Sequence, residues 1–111
     1  GFLQGFGGAD TFAFTTALGA GRVDTVADFV SGTDKISLDD AVFTQIGGLG
    51  ALNPNAFFAG SAAHDADDRI IYDVATGNLY YDADGNGAGA EVLFANLQGY
   101  PPLVASDFVV I

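Results

Sequence analysis

A five-residue unit, Gly-x-Asp-x-apolar, recurs three times in the first third of the chain and limits what that third can fold into. It is intact at Gly8-Ala9-Asp10-Thr11-Phe12 and again at Gly32-Thr33-Asp34-Lys35-Ile36. Between them, Gly21-Arg22-Val23-Asp24-Thr25-Val26 carries the unit with one residue inserted. In the nine-residue frame Gly-Gly-x-Gly-x-Asp-x-apolar-x, the segment from Gly5 to Ala13 fits at Gly5, Gly8, Asp10 and Phe12, and departs where Phe6 stands for the second glycine. Gly1-Phe2-Leu3-Gln4 reads as the tail of an earlier copy, with Leu3 in the apolar slot. Glycine at this density suits tight turns with positive φ and backbone packed on backbone. Each copy is then a turn followed by a very short strand whose apolar residue points inward.

The aspartate in each turn supplies a hard carboxylate oxygen, and turn carbonyls supply the rest of the oxygen shell that Ca²⁺ prefers. If two copies make one turn of a flattened helix, loops on one edge stack two copies apart, and a complete ion site then needs two copies on that edge. The candidate ligands here are Asp10, Asp24, Asp28 and Asp34. Asp10 could stack with Asp28 at an 18-residue spacing, or with Asp34 if Asp24 marks the copy between, and the sequence leaves both pairings open. The plainer role for any of these aspartates is to cap its own turn.

Charge points the same way. The chain carries 14 acidic residues against 3 basic ones, a net charge of −11, and all the acids but Glu91 are aspartate. A merely solvated acidic surface would mix in glutamate, the better helix former. Carboxylates about 4 Å apart repel by about 1 kcal/mol or more, and a divalent cation reverses that sign. Nucleic acid and anionic membrane are poor partners for this charge. With 111 residues, half of them apolar and ten of them Phe, the chain forms one domain with a real core. The absence of Cys excludes disulfides and thiol-ligated zinc. No apolar run of about 18 residues is present, so no membrane insertion is expected.

Residues 11–14, 24–29 and 35–38 read as short strands, with Val26 and Phe29 in the core. Asp39-Asp40 ahead of residues 41–46 and Gly47-Gly48 behind are helix start and stop signals, predicting a helix of about two turns with Phe43 and Ile46 inward. Residues 47–60 read as irregular. Two apolar runs, 69–72 and 79–81, flank Thr76-Gly77-Asn78 and predict a β-hairpin. Residues 91–97 and 108–111 read as further strands.

The hairpin carries a sharper inference. A turn centred near Ala75-Thr76 sets Tyr72 opposite Leu79, Ile70 opposite Tyr81 and Arg69 opposite Asp82. Asp67 and Asp68 then arrive beside Asp82 and Asp84, and like charges on paired strands destabilise unless neutralised. Residues 82–87 read Asp-x-Asp-x-Asn-Gly, the first half of an EF-hand calcium loop, although Leu93 occupies the position of its bidentate Glu. Asp82, Asp84 and Asn86, completed by Asp67 or Asp68, form a second candidate calcium site. The plainer reading is a solvated acidic turn partly neutralised by Arg69.

The chain resembles the C-terminal flank of RTX (haemolysin-type) calcium-binding proteins exported by bacterial type I secretion. The carriers are Gly7-Gly8-Ala9-Asp10-Thr11-Phe12; Asp28-Phe29 with Gly32-Thr33-Asp34-Lys35-Ile36; Asp68-Arg69-Ile70-Ile71-Tyr72-Asp73 with Leu79-Tyr80-Tyr81-Asp82-Ala83-Asp84-Gly85; and Asp107-Phe108-Val109-Val110-Ile111. The resemblance implies a mostly all-β fold: the terminal turns of a calcium-binding parallel β-roll, capped by antiparallel strands, with one short helix. Residues 1–38 would be the degenerate repeats, 39–66 the helix and irregular connection, and 67–111 the antiparallel cap ending in an uncleaved secretion signal. It also implies a secreted bacterial parent with an upstream domain, a partner in the type I secretion machinery, and folding on extracellular calcium.

Catalysis has little support: the single His64 lies in a polar stretch without Cys partners or a nucleophile setting. The rival reading is a calcium-dependent carbohydrate-binding or adhesion module, with Tyr72, Tyr80, Tyr81 and Tyr100 stacking on a polysaccharide.

Overall fold

The computed structural model describes residues 2–3, 10–14, 23–27, 29–60, 66–83 and 91–111. Within them are the strands β1 (Phe2–Leu3), β2 (Thr11–Phe14), β3 (Asp24–Val26), β4 (Lys35–Leu38) and β5 (Gly50–Ala51). There follow β6 (Phe57–Ala59), β7 (Ile70–Asp73), β8 (Asn78–Tyr81), β9 (Val92–Leu97) and β10 (Phe108–Val110). The helical elements are two 3₁₀ turns, Pro54–Ala56 and Ala105–Asp107. The fold is all-β in this sense, and its sheets are mixed.

One sheet has six strands in the order β1-β3-β9-β8-β7-β6, the other four in the order β2-β4-β10-β5. Successive strands of the repeat region alternate between them: β1 pairs with β3 and β2 with β4, both in parallel. The last two strands continue that pattern. β9 lies parallel to β3, and β10 parallel to β4. Three strand pairs, β1–β2, β3–β4 and β9–β10, therefore form three parallel rungs, and residues between β4 and β9 are an insertion between the second and third. This corrects the expectation that everything beyond residue 67 is an antiparallel cap. Among the described residues, antiparallel pairing is confined to β7–β8, β8–β9 and the β5–β10 contact.

The rungs stack in register, so the inward residues form columns. Phe12, Ile36 and Phe108 make one, and Phe14, Leu38 and Val110 the next. The unit's alternation explains this: in β2, Thr11 and Ala13 are exposed while Phe12 and Phe14 are buried. An aromatic chain ties the two sheets together, Phe14 to Phe94 at 5.2 Å, Phe94 to Phe43 at 5.1 Å and Phe43 to Tyr81 at 5.2 Å, all edge-on. Such pairs contribute about 0.5–1.5 kcal/mol each beyond their burial.

The hairpin takes the expected register, with Tyr72 opposite Leu79 and Ile70 opposite Tyr81. Its turn ends on Gly77 at φ +78°, where a Cβ would stand 2.4 Å from the Leu97 carbonyl oxygen. Phe43 and Ile46 are buried as expected, but residues 41–46 form turns and no α-helix. The reason is tertiary competition for the backbone. The Gln45 N–H donates to the Tyr81 hydroxyl at 2.8 Å, and the Gln45 carbonyl accepts from Arg69 Nε at 3.1 Å, so neither enters a helical ladder. The stretch expected to be irregular contains β5, β6 and a Pro-initiated 3₁₀ turn.

Candidate functional site

The rung edge is organised by two buried carboxylates. Asp34, immediately before β4, is 2 % exposed. Its Oδ1 accepts the Asp10 N–H at 2.9 Å, and its Oδ2 accepts the Val30 N–H at 2.8 Å. Asp107, immediately before β10, is fully buried. Its Oδ1 accepts the Gly32 N–H at 2.9 Å, and its Oδ2 accepts the Ser31 hydroxyl at 2.6 Å and the Val104 N–H at 3.0 Å. Each carboxylate thus binds its own turn and the turn of the preceding rung. Hydrogen bonds to an ionised acceptor are worth about 1.5–3 kcal/mol each, which offsets much of the cost of burying the charge. Lys35 joins the same edge by donating to the Ser106 carbonyl at 2.7 Å.

Among the first group of candidate ligands, the structure brings Asp10 and Asp34 together. Asp24 opens β3 in the other sheet, opposite Ala95. Asp28 lies outside the described residues. Asp34 has its two oxygens engaged by amides from two rungs, so its observed task is to clamp turns. Asp107 does the same and was not among the candidates. Its signal was available, since an Asp directly ahead of a short apolar strand is the repeat unit without its glycine.

The described members of the second group, Asp67, Asp68 and Asp82, flank the open end of the β7–β8 hairpin. Asp68 is fully buried and Asp82 is 5 % exposed, whereas Asp67 is exposed. The Asp82 N–H donates to the Arg69 carbonyl at 2.8 Å, extending the ladder as the sequence register requires. Glu91 precedes β9 beside this end, and its carboxyl is pushed above the usual range, first by burial and then by the charges of Asp82 and Asp73. Crowded carboxylates of this kind are what a divalent cation would relieve. Among the described residues, the Arg69 guanidinium donates to backbone carbonyls. Its Nε donates to the Gln45 carbonyl, and its Nη1 to the carbonyls of Ala66 at 2.8 Å and Asp68 at 2.9 Å. Asp84, Asn86 and His64 lie outside the described residues. Among the described residues no group of three or more acidic or His side chains is placed to hold a metal ion.

The tyrosines divide. Tyr72 is buried and donates to the Pro101 carbonyl at 2.7 Å, with burial and then Asp73 pushing its hydroxyl up to about 12. Tyr81 is a core residue packed on Phe43. Tyr80 is half-buried and accepts from Asn78 Nδ2, and only Tyr100 is exposed, at a φ of +51°. With Tyr72 and Tyr81 in the core, the four do not make one stacking platform. Among the described residues no helix is long and apolar enough to cross a membrane. No protein-family model matches the chain, and no curated protein matches it.

Proposed function

We propose that this chain is a calcium-binding C-terminal RTX domain of a larger secreted bacterial protein, non-catalytic in itself and carrying an uncleaved type I secretion signal. The observation that supports it best is the stack of three parallel rungs that alternate between two sheets, with aspartates ahead of the strands on one edge. That is the arrangement a parallel β-roll requires. On this reading Asp10, Asp24 and Asp28 are the calcium ligands of the repeat region, while Asp34 holds the turns in place. At the hairpin end Asp82, Asp84 and Asn86 hold a second ion with Asp68, whose burial beside Asp82 favours it over the exposed Asp67.

Calcium, when bound, supplies the positive charge that lets these carboxylates sit together. The residues of β10 then have two tasks in sequence: an apolar export signal while the chain is unfolded, and the third rung of the four-stranded sheet once it folds. Isothermal titration of the chain with calcium, repeated on Asp82→Asn combined with Asp84→Asn, tests the site. Loss of one binding event in the variant is the expected result. An unchanged titration, or no calcium binding by the parent chain, contradicts it.

A further inference from the structure

A cavity of about 460 Å³ opens between the turn after Phe43 and the 3₁₀ turn Pro54–Ala56, next to the hairpin-end acids, of which Asp67 lines it. Its polar lining includes Asn53, Asn55, Asp67 and Arg69, with the backbone of Gly47 and Gly48, and the largely exposed Leu49 adds an apolar edge. The volume lies within the range of small-molecule sites, about 300–1,000 Å³, but such sites are mostly apolar. A polar lining instead calls for a ligand rich in hydrogen-bonding groups.

The chemistry of Arg69 narrows the class. Its Nε and Nη1 are engaged by three backbone carbonyls, which fixes the guanidinium, and Nη2 has no hydrogen-bond partner among the described residues. A carboxylate or phosphate is best held by two parallel N–H groups of one guanidinium fork, and each fork, Nε with Nη2 and Nη1 with Nη2, already has one member engaged. The Asp67 carboxylate alongside and the net charge of −11 further disfavour an anion. The fixed guanidinium disfavours a metal cation. What remains is a neutral ligand whose groups both donate and accept. Asn53 is oriented for such a partner, because its Oδ1 is held by the Asn55 N–H at 3.0 Å, leaving its Nδ2 to donate. We infer that this cavity binds a neutral sugar unit of a polysaccharide, with Arg69, Asn53 and Asn55 on its hydroxyls and Leu49 against its C–H face. The site is separate from the tyrosines and does not rest on the calcium reading.

Affinity gel electrophoresis of the full chain in calcium buffer tests it, over gels containing a mannan, a dextran, a starch or a galactan, with alginate as the polyanionic control. Retardation by at least one neutral glycan is expected. Asn55→Ala should weaken it about tenfold, the loss of one hydrogen bond. Gly48→Phe should weaken it further: Gly48 lines the cavity, no atom lies within 4 Å of a Cβ there, and φ is not in the left-handed region, so a bulky ring is added at the site without straining the fold. Urea midpoints of both variants check that folding is intact, and if Gly48→Phe lowers its midpoint, Asn55→Ala decides alone. Migration unaffected by all four neutral glycans, retention by alginate only, or retention equal in both well-folded variants overturns the proposal.

Discussion

At the residue scale, aspartates that look equivalent in sequence carry different work. Asp34 and Asp107 are buried because backbone amides from two rungs converge on them, and that makes them structural whatever else the edge binds. Asp107→Ala should cost about 3 kcal/mol, read as a lower urea midpoint at saturating calcium, because three donors lose one charged acceptor. Tyr72 predicts an alkaline limit. Its folded hydroxyl titrates near 12 against about 10 when unfolded, so its stabilisation is complete below pH 10 and is lost as pH rises toward 12. Tyr72→Phe should lower stability by about 1 kcal/mol at neutral pH and flatten the decline above pH 10. Glu91 has the same sign in the acidic range, so by neutral pH its charge counts against the fold. Its carboxyl is raised, so the folded chain keeps the proton longer than the unfolded chain, and stability falls as pH rises through that window. Glu91→Gln should therefore raise the calcium-free urea midpoint at pH 7, with the gain vanishing below about pH 4, where glutamate is protonated in either state.

At the element scale, what the sequence disclosed followed local rules. β4 falls on residues 35–38 as read, and the hairpin register follows from its turn chemistry and a period of two. Partners distant in the chain were not legible. Nothing local to residues 92–97 or 108–110 says that they lie parallel to strands some 70 residues earlier, because parallel pairing is fixed by the whole stack. The helix signals around residues 41–46 were real but outweighed, since Tyr81 and Arg69 capture the backbone of Gln45. The candidate site was legible as composition, Asp among Gly, but not in its division between clamps and ligands, which depends on burial. β10 is the element on which most depends, because it joins β4 to β5. Phe108 is fully buried and its ring lies 5.3 Å from Phe57, so Phe108→Ala should cost about 3–5 kcal/mol and lower the thermal midpoint accordingly.

At the scale of the whole molecule, the chain carries a net charge of −11, and on the proposed reading its stability is tied to its counterions. An ion that binds only the folded state adds about 2.7 kcal/mol at one hundred times its dissociation constant, so two sites shift the equilibrium by roughly the margin of a small domain. That would let the chain remain unfolded where calcium is scarce and fold where it is abundant. Far-UV circular dichroism of the chain in chelator, followed by titration with calcium and, separately, magnesium, tests this directly. The expected result is a cooperative gain of β signal at micromolar to millimolar calcium that magnesium does not reproduce. A fully folded spectrum in chelator, unchanged by calcium, would contradict calcium-driven folding and leave the aspartates as turn clamps alone.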